Sequence, residues 1–105
     1  MPARISKDEF DSEVLGSDLP VLADFYSDSC IPCKRMSPIL SQLETEYADK
    51  IKIVKINTNF EKELVETYSI QAAPTLILFN NGKEVSRIRG AAKKDEIITL
   101  IKEQI

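Results

Sequence analysis

Val21-Leu22-Ala23-Asp24-Phe25-Tyr26-Ser27-Asp28-Ser29-Cys30-Ile31-Pro32-Cys33-Lys34 passes from an apolar, strand-like run straight into a helix start, and it carries the only two cysteines of the chain. Placed there, the pair reads as a dithiol that opens and closes. Structural zinc wants four Cys or His ligands, usually as two spaced pairs, and this chain offers two cysteines and no histidine. A purely structural disulfide between them would be a poor staple, because so small a loop stabilises by only about 2 kcal/mol in the chain-entropy model, against about 3 for fifteen residues. Thiol-disulfide exchange remains: an exposed thiolate attacks a disulfide, and a second thiol one helical turn away resolves the mixed intermediate.

A length of 105 residues suits one domain, residues 1–105, with a single packed core. Hydrophobic residues make up 43% and charged residues 30%, the balance of ordinary soluble globular chains. A net charge of -3 with scattered lysines argues against nucleic acid or an anionic membrane as partner. The segment Met1-Pro2-Ala3-Arg4-Ile5-Ser6-Lys7-Asp8 has no apolar stretch of signal-peptide length, and no later run is long enough to span a bilayer. The expected address is cytoplasmic. Structural disulfides are rare in that compartment, which strengthens the exchange reading.

Helix-like and strand-like segments alternate along the chain. Ser6 with Glu9 forms a capping box flanked by Ile5 and Phe10 as a hydrophobic staple, predicting a helix from about Lys7 toward Gly16. Pro20 to Tyr26 is a short apolar run typical of a strand covered on both faces. From Ile31, the residues Met36, Ile39, Leu40, Leu43 and Tyr47 recur at helical spacing, with Pro38 inside that helix and expected to kink it. Ile51 to Ile56 is the next strand. Thr58 with Glu61 reads as a second capping box, opening a helix with Phe60, Leu64 and Tyr68 on one face. Two helical crossovers predict parallel strands. Thr75–Phe79 and Glu84–Ile88 flank Asn81-Gly82, a strong hairpin turn signal that makes this pair antiparallel. Lys93 to Ile105 closes the chain as a helix, with Ile97, Leu100, Ile101 and Ile105 toward the sheet. A mixed sheet with helices on both faces follows.

Taken together, these residues resemble the thioredoxin family over nearly the whole chain. The likeness rests on Cys30-x-Pro32-Cys33 after an apolar strand, Asp24 within that strand, Lys34 and Pro38 in the following helix, Lys55 in the next strand, Ala73-Pro74-Thr75 opening a later one, and Gly82 and Gly90. The resemblance implies a thioredoxin fold of the α/β class, a mixed central sheet of about five strands flanked by about four helices on both faces. It also implies a redox-active Cys30-Cys33 disulfide as the working group, with no metal and no organic cofactor.

A thiolate on Cys30, at the N-terminal end of the helix, is favoured by unpaired backbone N–H groups and by the helix dipole, which assigns it the attack. Cys33, one turn deeper, is expected to be shielded and to act second. Pro32 fits a first helical turn and limits the freedom of the dithiol. Asp24 is the one ionisable group in an apolar strand. Burial would raise its pKa and suit it to accept a proton from Cys33, or it could reach solvent at the strand end; the resemblance implies the catalytic role. Lys55 either faces Asp24 and tunes it or is simply solvated. The resemblance further implies a cis Ala73-Pro74 peptide beside the dithiol, with the Ala73 backbone, Pro74, Gly90 and Ser29 meeting an extended substrate segment.

Two residues depart from the family pattern, which usually has tryptophan before the first cysteine and glycine after it. Here Ser29 and Ile31 stand there, and the chain has no tryptophan. Ile31 places a β-branched side chain beside the nucleophile, where it can restrict access, add an apolar contact or shift the potential. The expected function is a monomeric protein-disulfide reductase acting on disulfide-containing client proteins and re-reduced by a thioredoxin reductase. The alternatives are a disulfide isomerase or oxidase, and a binding module that keeps the fold with incidental redox activity.

Overall fold

A computed structural model describes residues 2–105. Its centre is a five-stranded mixed sheet in the order β1-β3-β2-β4-β5, built from β1 (Ala3–Arg4), β2 (Val21–Tyr26), β3 (Lys52–Asn57), β4 (Thr75–Asn80) and β5 (Lys83–Arg89). Four α-helices cover it: α1 (Lys7–Phe10), α2 (Ile31–Glu46), α3 (Lys62–Thr67) and α4 (Lys94–Lys102). The two-residue period of the strands divides the core into two layers. Val21, Ala23 and Phe25 of β2 pack with Phe10 and Val14 on one side and with Leu64 of α3. Leu22 points the other way, into a layer with Met36, Leu40 and Leu43 of α2 and Ile97 and Ile101 of α4. Because β2 is central and covered on both faces, it reads as a continuous apolar run, and Asp24 interrupts it on the α2 side.

Local signals explain most element ends. The Glu9 carboxylate accepts the Ser6 N–H at 3.0 Å, and Ile5 and Phe10 are both buried, as the capping box and staple predict. After Phe10 the helix widens into a π-helical stretch, Asp11–Leu15, with the Gly16 N–H donating to the Asp11 carbonyl at 2.8 Å. Lys52 fastens that stretch to the sheet, its ammonium donating to the Glu13 carbonyl at 2.9 Å. Asn81 and Gly82 have φ of 55° and 77°, the left-handed pair that a two-residue hairpin turn requires. Helix α2 runs unbroken through Pro38.

Four expectations need correction. Strands β2 and β3 are parallel, but β4 runs antiparallel to β2. Helix α3 has six residues, about 9 Å of rise, too short to carry the chain back along a strand of about 20 Å. It therefore returns the chain at the end of the sheet where β3 stopped. The Thr58–Glu61 capping box does not form. Thr58 gives its hydroxyl to the Tyr26 carbonyl at 3.0 Å, Glu61 accepts the Lys7 N–H at 2.9 Å, and α3 starts only at Lys62. Phe60 is accordingly not on the buried face with Leu64. It is 64% exposed, with the Arg4 guanidinium 5.0 Å from its ring centroid. Finally, α4 ends at Lys102, which leaves Ile105 outside the helix and 49% exposed.

Candidate active site

Cys30 is the residue that caps α2, with extended backbone (φ -85°, ψ 108°), and Cys33 lies in the first turn. The two are joined by a disulfide with their Cα atoms 5.2 Å apart. The Cys33 N–H donates to Cys30 Sγ at 3.0 Å, so a sulfur occupies the place a capping oxygen would take. Pro32 occupies the second helical position, where its missing N–H leaves no helical bond unmade. Cys33 is buried at 6% exposure, whereas Cys30 is half-buried and Ser29, Ile31 and Pro32 around it are exposed. Ile31 holds a β-branched apolar side chain out in solvent at 62% exposure.

Asp24 is buried within β2, and its Oδ1 has no hydrogen-bond partner among the described residues. Burial pushes its pKa from 3.8 up to about 6, and the positive charge of Lys55 works in the opposite direction. Asp24 and Lys55 are register partners across the parallel β2–β3 pair, so both side chains leave the sheet on one face. The Lys55 ammonium sits over the Tyr26 ring, 4.4 Å from its centroid.

The other expected site residues gather at the same end of the sheet. Phe25 pairs with Thr75 and Thr75 with Arg89, so the residues just beyond, Tyr26, Pro74 and Gly90, line one edge. The Ala73-Pro74 peptide is cis, as the resemblance implied. Pro74 is buried and Ala73 half-buried, and the Gly90 N–H donates to the Pro74 carbonyl at 2.8 Å. Gly90 has φ 88° with nothing within 4 Å of where a Cβ would stand. Chain direction explains the grouping: β2 ends where β4 begins, and the loop leading to Cys30 leaves from that point.

Local sequence reading missed a hydrogen-bonded link between this loop and the β3–α3 connection. Asn57 Nδ2 donates to Asp28 Oδ1 at 2.9 Å, the Asp28 N–H donates to Asn59 Oδ1 at 3.3 Å, and the Asn59 N–H donates to Asn57 Oδ1 at 2.8 Å. No spacing rule connects Asp28 with residues so far along the chain. The one available signal was Asn57 itself, a polar residue ending an apolar strand. Among the described residues, no group of three or more His, Cys, Asp or Glu side chains could hold a metal ion, and no helix is long and apolar enough to cross a membrane.

Comparison with known proteins agrees with this geometry. The family model described as thioredoxin matches residues 2–103. The chain is 38% identical to "Thioredoxin 1" of Nostoc sp. over 88% of its own length and 86% of that protein. It is 34% identical to the thioredoxin of Rickettsia bellii over 100% of both chains. With the Haemophilus influenzae thioredoxin it shares 37% identity over 96% of its own length and 94% of that protein. With a cysteine pair joined at the head of α2, a mixed sheet of the matching kind and these relatives, the chain belongs to the thioredoxin family of thiol-disulfide oxidoreductases.

Proposed function

We propose that this oxidoreductase works as a protein-disulfide reductase in the cytoplasm, with residues 1–105 acting as one thioredoxin domain. The observation that carries the reading is the Cys30–Cys33 disulfide at the mouth of α2, with the Cys33 N–H on Cys30 Sγ at 3.0 Å. In the reduced protein the same N–H would stabilise a Cys30 thiolate. That thiolate attacks one sulfur of a client disulfide, forming a Cys30–client mixed disulfide and releasing the other client sulfur as a thiolate. Cys33 then loses its proton and attacks Cys30 Sγ, which expels the second client thiolate and regenerates the Cys30–Cys33 disulfide. Two electrons and two protons from a thioredoxin reductase restore the dithiol.

Asp24 is the acceptor we assign to the Cys33 proton. A carboxyl titrating near 6 is mostly ionised at neutral pH yet basic enough to take a proton, and burial is what brings it there. Lys55 modulates Asp24 by its charge, and Pro32 and Ile31 modulate the dithiol itself. The edge formed by Ala73, Pro74 and Gly90, together with exposed Ser29 before the first cysteine, receives an extended client segment main chain to main chain. Such recognition is indifferent to most side chains, which suits many client proteins to a monomeric reductase.

The deciding experiment pairs a Cys30→Ser variant with the equilibrium potential of the wild-type cysteine pair in a glutathione buffer, read by alkylation gel shift. The reductase reading expects no client reduction by Cys30→Ser and a potential more reducing than the cytosolic glutathione poise. Retained turnover removes Cys30 from its role. A clearly oxidising potential replaces the reductase with a disulfide donor or isomerase, the direction that exposed Ile31 would favour.

A further inference from the structure

The loop that delivers Cys30 is tied down from an unexpected side. Between the end of β2 and the start of α2 lie Ser27, Asp28, Ser29 and Cys30, and the turn closes with the Cys30 N–H on the Ser27 carbonyl at 3.4 Å. That turn bond is long for its type. The side chains of Asp28 and Ser29 at its tip are exposed and give it little packing. What holds it is the polar link to the β3–α3 connection. Asn57 is completely buried at the end of β3, and its amide uses both ends: Nδ2 donates to Asp28 Oδ1 at 2.9 Å, and Oδ1 accepts the Asn59 N–H at 2.8 Å. Asn59 returns the link, its Oδ1 accepting the Asp28 N–H at 3.3 Å. Side chain and backbone of Asp28 are thus both fixed by a neighbouring segment that is itself anchored to β2, since the Thr58 N–H donates to the Tyr26 carbonyl at 2.8 Å.

We propose that Asp28 and Asn57 are positioning residues for the dithiol, a brace that holds the Ser27–Ser29 turn so that Cys30 caps α2 with its sulfur on the Cys33 N–H. The idea rests on the assignment of Cys30 as nucleophile. Its physical content is geometric. A capping sulfur receives a thiolate-stabilising N–H only while the residue before the helix keeps its extended backbone, and that backbone is the continuation of the braced turn. If the turn frays, Cys30 leaves the N–H and its thiolate loses support.

The competing explanation is charge alone, and it predicts the opposite sign. Removing a nearby carboxylate by any substitution should favour the Cys30 thiolate, because a like charge has gone. Under the brace, Asp28→Ala disfavours the thiolate, whereas Asp28→Asn keeps an oxygen acceptor for Asn57 Nδ2 and leaves the thiolate near its wild-type state.

The test is the pH profile of Cys30 alkylation by iodoacetamide in the fully reduced protein, with the labelled cysteine identified by peptide mass. The brace expects the neutral-pH rate of Asp28→Ala to fall by about three- to tenfold, at the lower end of what coupled members of one hydrogen-bond network show, with the profile displaced to higher pH and Asp28→Asn close to wild type. An Asn57→Asp variant, which sets two carboxylates face to face, should behave like Asp28→Ala, and adding Asp28→Asn to it should restore the rate by reversing the donor and acceptor. Loss of folding in Asn57→Asp leaves the two Asp28 variants, at an exposed position, to decide. Equal behaviour of Asp28→Ala and Asp28→Asn, whether faster, slower or unchanged, overturns the brace. Labelling of Cys33 rather than Cys30 in the wild-type protein would instead overturn the underlying assignment of the nucleophile.

Discussion

Asp24 and Lys55 stand opposite each other in register across β2 and β3, yet the Lys55 ammonium rests over the Tyr26 ring and Asp24 Oδ1 has no hydrogen-bond partner among the described residues. The carboxyl is therefore buried with only a through-space positive charge to offset its desolvation, and it titrates near 6. A strand built of Val, Leu, Ala and Phe keeps such a group at its centre at a measurable expense in stability.

That expense gives the first prediction. A carboxyl whose folded pKa is about 6 against an ordinary 3.8 contributes stability that is fully present below about pH 4 and lost as pH rises through 6. At pH 8 the ionised Asp24 should destabilise the fold by about 3 kcal/mol, taking 1.36 kcal/mol per pKa unit. Asp24→Asn cannot ionise. Urea unfolding of the oxidised proteins should show the variant gaining on the wild type by about that amount between pH 3 and pH 8. A difference that does not change with pH would mean that the Asp24 carboxyl is not desolvated in solution.

A second prediction separates the two cysteines. Cys33 is buried and Cys30 only half-buried, so Cys33→Ser leaves a nucleophile with no resolving partner. Incubated with a disulfide-containing client, Cys33→Ser should accumulate a mixed disulfide visible on a non-reducing gel, and Cys30→Ser should form none. Equal trapping by the two variants would contradict the order of attack.

How far the sequence led depends on the range of the interactions involved. Ser6 and Glu9, Asn81 and Gly82, and the two cysteines all act across four residues or fewer, and all stand where local rules place them. Asp24 was legible too, because one charge in an apolar strand stands out. The failures lie where a distant partner outbids a local one. Thr58 and Glu61 are drawn to Tyr26 and Lys7 instead of capping α3. Strand β1 is two residues long and exists only because Ala3 and Arg4 find Val54 and Lys55. The Asp28–Asn57 contact, like the π-helical winding after Phe10, leaves no periodic trace.

Ile31 supplies a third prediction. Its side chain is 62% exposed and buries little in the folded chain, so replacing it should act on clients more than on the fold. Ile31→Gly should lower stability by less than about 1 kcal/mol, the helix-propensity penalty for glycine. Turnover of a panel of protein disulfides should change unevenly, with clients that meet Ile31 through apolar contacts slowed and bulkier ones quickened. A uniform change across the panel, tracking a shift in the potential of the cysteine pair, would mean that Ile31 acts through the dithiol alone and adds no docking contact.

The two glycines with positive φ make a fourth prediction, because they divide stability from activity. Gly82 (φ 77°) would place an added Cβ 3.1 Å from the Leu15 carbonyl oxygen, and Gly90 (φ 88°) would place one in open space. Left-handed backbone alone disfavours alanine by about 1–2 kcal/mol at either site. At Gly82 the clash with backbone at the end of the π-helical stretch adds to that, so Gly82→Ala should be the more destabilising in urea unfolding. Gly90 bonds the Pro74 carbonyl at the edge assigned to the client chain, and its open space is where a methyl group would meet that chain. Gly90→Ala should therefore raise the KM for protein disulfides while barely altering reduction of a small disulfide such as that of dithionitrobenzoate. Gly82→Ala should leave both activities intact under conditions where it is folded. If the glycine at 82 proved the more important for client turnover, the β4 end carrying Pro74 would not be the docking edge.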